Sequence, residues 1–71
     1  MWIVRPNHEA FNLNSYEEIW VNEQDDRSYI VFDSLDKKHT KTIPFDTKEL
    51  AIQSFHYLVQ AWKRNEGVIY L

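Results

Sequence analysis

Only one stretch of this chain, Asp46 to Gly67, carries the period of a helix. There Ala51, Phe55, Leu58, Val59 and Trp62 recur at about 3.6-residue spacing, flanked by Leu50 and Ile52. Lys48, Glu49, Gln53, Gln60, Lys63 and Arg64 fall on the opposite side. The remaining apolar segments are short and rich in the β-branched and aromatic residues of strands. A lone helix with only strands to pack against restricts the fold to the α+β class. The expected form is a small, mainly antiparallel sheet of three to five strands with one amphipathic helix on one face, in the order β-β-β-β-α-short β. Residues 1–71 then form one domain, without repeats, linkers or low-complexity segments.

Local signals set the expected boundaries. Asp46 as N-cap puts Glu49 at N3 of a capping box, with Phe45 and Leu50 as a hydrophobic staple; Thr47 is the alternative cap. Lys63 and Arg64 suit the last turn of a helix over 47–65, and Gly67, the only glycine, suits its left-handed C-terminal cap. Met1 to Val4 reads as a short strand cut off by Arg5-Pro6, and Asn7 to Asn14 as a connection anchored by Phe11 and Leu13. A second strand is expected from Ser15, with Ile19 and Val21 on one face and Trp20 on the other. Gln24-Asp25-Asp26-Arg27 is a turn at hairpin distance. The following strand, Ser28 to Ser34, places Tyr29 and Val31 on one face and Ile30 and Phe32 on the other. After a turn over Leu35 to Lys38, His39 to Ile43 reads as an edge strand that Pro44 ends, and Val68 to Leu71 as a last short strand.

A chain of this length buries only about 60% of its unfolded surface, so its core must be dense or shared with a partner. Three Trp, four Tyr and four Phe supply large rings for that purpose. Without cysteine there are no disulfides, thiolate metal sites or cysteine nucleophiles. Met1-Trp2-Ile3-Val4-Arg5-Pro6 lacks the basic region and the apolar run of about 7–15 residues of a secretory signal. No apolar run approaches the roughly 18 residues of a membrane span. The expectation is a soluble, cytoplasmic protein.

Met1-Trp2-Ile3, Phe11-Asn12-Leu13-Asn14, Ile19, Tyr29-Ile30-Val31 and Phe45-Asp46-Thr47-Lys48-Glu49-Leu50-Ala51 together resemble a recurring pattern. It is that of short uncharacterised proteins of Gram-positive bacteria and their phages and mobile elements: a Met-Trp-Ile start, an Asn-Leu pair, a Tyr-x-Ile strand and an aromatic-x-Thr-x-Glu-x-Ala helix start. The resemblance spans most of the chain. It implies a small accessory or phage-type protein and no particular activity.

Chemistry-bearing clusters are few. His8, His39 and His56 have no partner at ligand spacing on a shared element, so no metal is expected. The serines sit in no nucleophile elbow, and no glycine-rich loop offers a phosphate cradle, so neither catalysis nor a cofactor is expected. Charge, however, is lopsided. Residues 1–26 hold six acids and one base, and residues 27–71 five acids and seven bases, giving −5 and then +2. One sheet face without a helix cover and an acidic hairpin point to a non-enzymatic protein-interaction module, with Trp20, Tyr16, Glu18, Glu23, Asp25 and Asp26 as interface candidates. Its partner is an unidentified protein. A homodimer, formed sheet to sheet or through the Val68 to Leu71 tail, is also expected. The alternative is a small binder of single-stranded or structured nucleic acid, using Lys37, Lys38 and Lys41 of the basic turn beside Tyr29 or Trp20; the net charge of −3 weighs against it. Trp62 belongs to the helix stripe and is assigned to the core.

Overall fold

The computed structural model describes residues 1–36 and 38–71. Six strands and one helix follow the order β1 (Trp2–Val4), β2 (Ala10–Asn12), β3 (Glu18–Gln24), β4 (Arg27–Asp33), β5 (Thr40–Phe45), α1 (Lys48–Lys63) and β6 (Val68–Tyr70). The class is α+β, with one α-helix among the described residues. The strands divide between two three-stranded sheets, β2-β1-β6 and β3-β4-β5. In the first, β1 pairs antiparallel with β2 and parallel with β6; the second is an antiparallel meander.

The division follows from a strand that the asparagine-rich segment conceals. Ala10–Asn12 pairs with Trp2–Val4 across a turn closed by Arg5 N–H to the Glu9 carbonyl at 2.8 Å, with His8 at φ 67° inside it. Asn12 then leaves the strand by accepting the Asn14 N–H at 3.0 Å, capping a 3-10 turn over Leu13–Ser15. That turn reaches Ser15, where the alternation pattern starts the strand, and β3 begins at Glu18.

The hairpin between β3 and β4 has a two-residue loop, Asp25 and Asp26, both with positive φ (52° and 64°). Two left-handed residues in succession define the turn whose twist matches paired strands, and the short polar side chain of Asp tolerates that conformation better than most. Pro44 does not end pairing as expected. It lies within β5 opposite Tyr29. The Ser34 N–H donates to the His39 carbonyl at 2.9 Å, which sets the bonded pairs at Phe32/Lys41, Ile30/Ile43 and Ser28/Phe45. Pro44 therefore stands at a non-bonded pair on an outer strand, where a missing N–H costs no ladder bond.

Thr47, and not Asp46, caps α1: its side chain accepts the Leu50 N–H at 3.1 Å. At the other end Asn65 (φ 59°) takes the left-handed position assigned to Gly67. Asn65 N–H donates to the Trp62 carbonyl at 3.0 Å and Glu66 N–H to that of Ala61 at 3.1 Å, the paired bonds of a Schellman cap.

The helix is rotated from the expected stripe. Ala51, Leu58 and Ala61 are buried and Ser54 and Phe55 half-buried, whereas Val59 is exposed and Trp62 is 44% exposed. The buried line runs through Ala51, Leu58 and Ala61 and leaves Val59 at its margin, while Trp62 is exposed in the last turn of the helix. Leu58 and Ala61 join Ile30, Phe32 and Ile43 of the second sheet, Ile3, Phe11 and Ile69 of the first, and Leu13 in one core. No helix among the described residues is long and apolar enough to cross a membrane.

Candidate functional site: the open face of the second sheet

Register fixes which side chains share a face. Opposite the core, β3-β4-β5 presents three cross-strand rows: Glu18–Asp33–Thr40, Trp20–Val31–Thr42 and Asn22–Tyr29–Pro44. The other face carries Ile19, Val21, Ile30, Phe32, Ile43 and Phe45, the residues that meet the helix and the first sheet. Among the described residues, the helix and the first sheet pack on the other face and no element is laid across this one. Trp20 is 37% exposed, Tyr29 is half-buried, and Asn22, Thr42 and Pro44 are exposed. Val31 at the centre, paired with Trp20 on one side and Thr42 on the other, retains only 6% exposure.

The result is an apolar centre with an acidic upper row. Asp33 accepts a hydrogen bond from the Thr40 hydroxyl at 2.6 Å, which fixes the carboxylate along the edge of the patch. Glu18 shares that row, and no lysine stands in any of the three. Such a face suits contact with an apolar surface bordered by positive charge.

Trp20 and Glu18 lie on this face, as the alternation pattern implies, and Asp25 and Asp26 form the exposed turn at the end of the hairpin. Tyr16 is not with them. The 3-10 turn breaks the phase before β3, and its ring packs edge-on against Phe11 (5.7 Å between centroids) and Phe32 (6.0 Å) on the core side. Glu23 also lies on the core-side face, where its carboxylate meets Lys48 Nζ at 2.9 Å. That contact ties the hairpin to the start of α1 and raises the Lys48 pKa, chiefly through the hydrogen bond. The acidic residues therefore divide between two surfaces, with Lys48 and Arg27 beside Glu23, Asp25 and Asp26 in a shallow depression of about 380 Å³.

The basic turn is likewise separated from the aromatic face. Lys41, opposite Phe32 on the core-side face, reaches Glu9 Oε2 at 2.6 Å and stands 5.5 Å from the Phe11 ring centroid. The hydrogen bond holds the Glu9 carboxyl below its ordinary range and the Lys41 ammonium above its own. Lys38 is exposed beyond the end of β4, its N–H donating to Asp36 Oδ1 at 2.9 Å; Lys37 lies outside the described residues. The Ser34 hydroxyl also donates to Asp36, at 2.6 Å, and these two bonds lower the Asp36 pKa. Among the described residues no three His, Asp or Glu side chains converge as a metal-ligand set.

Tyr29, Val31, Thr42 and Pro44 were not among the sequence-derived interface residues, although the signal was present. A two-residue turn at Asp25-Asp26 pairs Gln24 with Arg27 and so puts Trp20 opposite Val31 and Asn22 opposite Tyr29. Comparison with family models, curated proteins and solved structures finds no match to this chain.

Proposed function

We propose that this chain is a small, non-enzymatic protein-interaction module of accessory or phage type, working in the cytoplasm, with the open face of β3-β4-β5 as its recognition surface. The observation that carries the reading is Trp20, exposed beside Val31 and Tyr29 on a sheet face that the helix leaves uncovered. Tryptophan and tyrosine supply large, rigid contact area and dominate the energetics of protein interfaces. Glu18 and Asp33 favour a protein partner whose matching surface is apolar at its centre and basic at one border.

The arrangement of lysines supports a protein over a nucleic acid. Stacking recognition of a strand needs cations beside the rings to hold phosphates, and Lys41 is engaged with Glu9 on the opposite face from Trp20.

Site-specific photo-crosslinking tests the proposal. A benzophenone amino acid at position 29, on the open face, is expected to capture a discrete protein from lysate of the native host, and the same group at position 57, on the exposed side of α1, is not. Equal capture at both positions contradicts the assignment of the face. Binding of labelled single-stranded or duplex nucleic acid that weakens steeply between about 50 and 200 mM salt would favour the nucleic-acid reading instead.

A further inference from the structure

The smaller sheet ends in a strand edge with a particular hydrogen-bonding pattern. Trp2 N–H donates to the Gly67 carbonyl at 2.8 Å, and Leu71 N–H to the Val4 carbonyl at 2.9 Å. In a parallel ladder with the register Trp2/Val68, Ile3/Ile69 and Val4/Tyr70, these bonds assign the backbone groups of residues 67, 69 and 71 to β1. Those of Val68 and Tyr70 point the other way. Among the described residues no strand pairs with that side of β6.

We infer that this edge pairs with the same edge of a second copy, antiparallel about a two-fold axis at Ile69. Placing Ile69 opposite its symmetry mate sets Val68 against Tyr70 of the second copy and Tyr70 against its Val68. Both are then hydrogen-bonded pairs, so all four outward groups of each strand gain a partner. A continuous six-stranded sheet results.

Three features select a second copy as the occupant. The edge is self-complementary, because the two outward donors and two outward acceptors of one copy match those of the other under the two-fold. It also lacks the devices that protect the edges of the larger sheet. β5 carries Lys41 and Pro44, and β3 carries Glu18 and Glu23, whereas residues 68–71 contain no charged side chain and no proline. Third, the side chains that meet across the axis, Val68 and Tyr70, form the β-branched and aromatic pairs that antiparallel ladders favour. The β2 edge offers only Ala10 and Asn12 in the corresponding places.

Area sets the strength. Trp2 and Val68 are each 48% exposed and Tyr70 74% exposed on the outer face of this sheet. Together they present roughly 350 Å² per copy, well under the roughly 800 Å² per partner of a standard stable interface. So small an area makes the dimer weak and concentration-dependent.

Sedimentation equilibrium of the full chain from about 10 μM to about 1 mM, the range of a weak association, tests the inference. The wild-type mass should rise from 8.6 kDa towards twice that value. Tyr70→Pro removes an outward N–H and leaves every bond to β1 intact, and should remain at monomer mass. Tyr70→Thr keeps the N–H without the ring and should still associate. Amide spectra give a readout independent of any variant's folding: the Val68 and Tyr70 resonances should move with concentration, while those of Ile69 and Leu71 hold. A constant monomer mass with static Val68 and Tyr70 amides overturns the inference. So does association of Tyr70→Pro equal to wild type, or loss of association in Tyr70→Thr at unchanged melting temperature, which would mean that the faces and not the edges meet.

Discussion

Lys41 and Glu9, 32 residues apart in sequence, meet at 2.6 Å and join the outer strand of the larger sheet to the turn that precedes β2. Phe11 lies beneath the ammonium, so the contact links the two sheets across their shared core. It also withdraws Lys41, the last lysine of the basic segment, from any role as a phosphate contact.

The pair sets a pH dependence of known sign. The Lys41 hydrogen bond lowers the Glu9 pKa below 4.5, so its stabilisation is present above pH 4.5 and is lost as pH falls through the folded-state value. Asp36 behaves likewise from 3.8. Lys41 is raised above 10.5, and its share is present below that pH and lost as pH rises through the higher folded value. The Glu9 carboxyl resonance should titrate below 4.5 in wild type and move upward in Lys41→Met. The Lys41→Met melting temperature should also fall less steeply below about pH 4. An unchanged Glu9 titration in the variant would show that the contact does not persist in solution.

Helix rotation makes an opposed pair of expectations for stability. Leu58 is fully buried, and Leu58→Ala should cost about 2–5 kcal/mol. Trp62, near half exposed, should cost no more than about 1–2 kcal/mol as Trp62→Ala despite its larger ring. Urea denaturation of the two variants checks the order, and a greater loss for Trp62→Ala would restore the stripe that periodicity alone suggests.

The helix C-terminus yields a third. Gly67 has no positive φ, and a Cβ there would meet nothing within 4 Å. Gly67→Ala should therefore stabilise by up to about 1 kcal/mol through the unfolded chain. Asn65→Gly, at the left-handed position, should also stabilise by about 0.5–1 kcal/mol, and Asn65→Val should destabilise. Thermal melts of the three variants are sufficient; a Gly67→Ala variant less stable than wild type would contradict the observed cap.

How far the sequence could be read depended on whether a signal was local. The helix, its polar side and the β3-β4 hairpin rest on spacing within a few residues and all form, although β3 starts at Glu18 and not Ser15, and the loop is Asp25-Asp26 and not Gln24 to Arg27. The face carrying Trp20 was legible from alternation, because β3 and β4 pair through a two-residue turn. What escaped was decided between distant segments. Ala10–Asn12 becomes a strand only because β1 lies beside it, and the parallel β1-β6 pairing depends on residues more than 60 positions apart. The 3-10 turn at Leu13–Ser15 redirected Tyr16 to the core for the sake of Phe11 and Phe32. Helix rotation was hidden for a related reason. Periodicity locates an apolar sector, but the buried line runs from Ala51 and Leu58 to Ala61, which that sector did not include.

Asp25 and Asp26 provide a fourth expectation, specific to the hairpin. Two successive left-handed residues favour Asn-Gly over Asp-Asp, so Asp25→Asn combined with Asp26→Gly should raise stability by about 1 kcal/mol. The substitution also removes two acids from the hairpin tip and leaves the Trp20 rows untouched. Binding to a captured partner should therefore persist in this variant if the sheet face, and not the acidic tip, makes the contact. Loss of binding with retained stability would move the interface to the turn.

The most direct measurement of the central claim is the affinity of Trp20→Thr for the protein captured through position 29, by titration calorimetry beside wild type and Trp62→Thr. Threonine keeps the strand propensity and leaves the β3-β4 ladder in place, but Trp20 is only 37% exposed, so the melting temperature should fall by several degrees and binding is compared at a temperature where all three proteins are folded. Loss of the Trp20 ring should cost at least about 2 kcal/mol of binding, roughly 30-fold in dissociation constant, while Trp62→Thr stays within about twofold of wild type. Equal affinity for Trp20→Thr and wild type would contradict the assignment of the open face as the recognition surface.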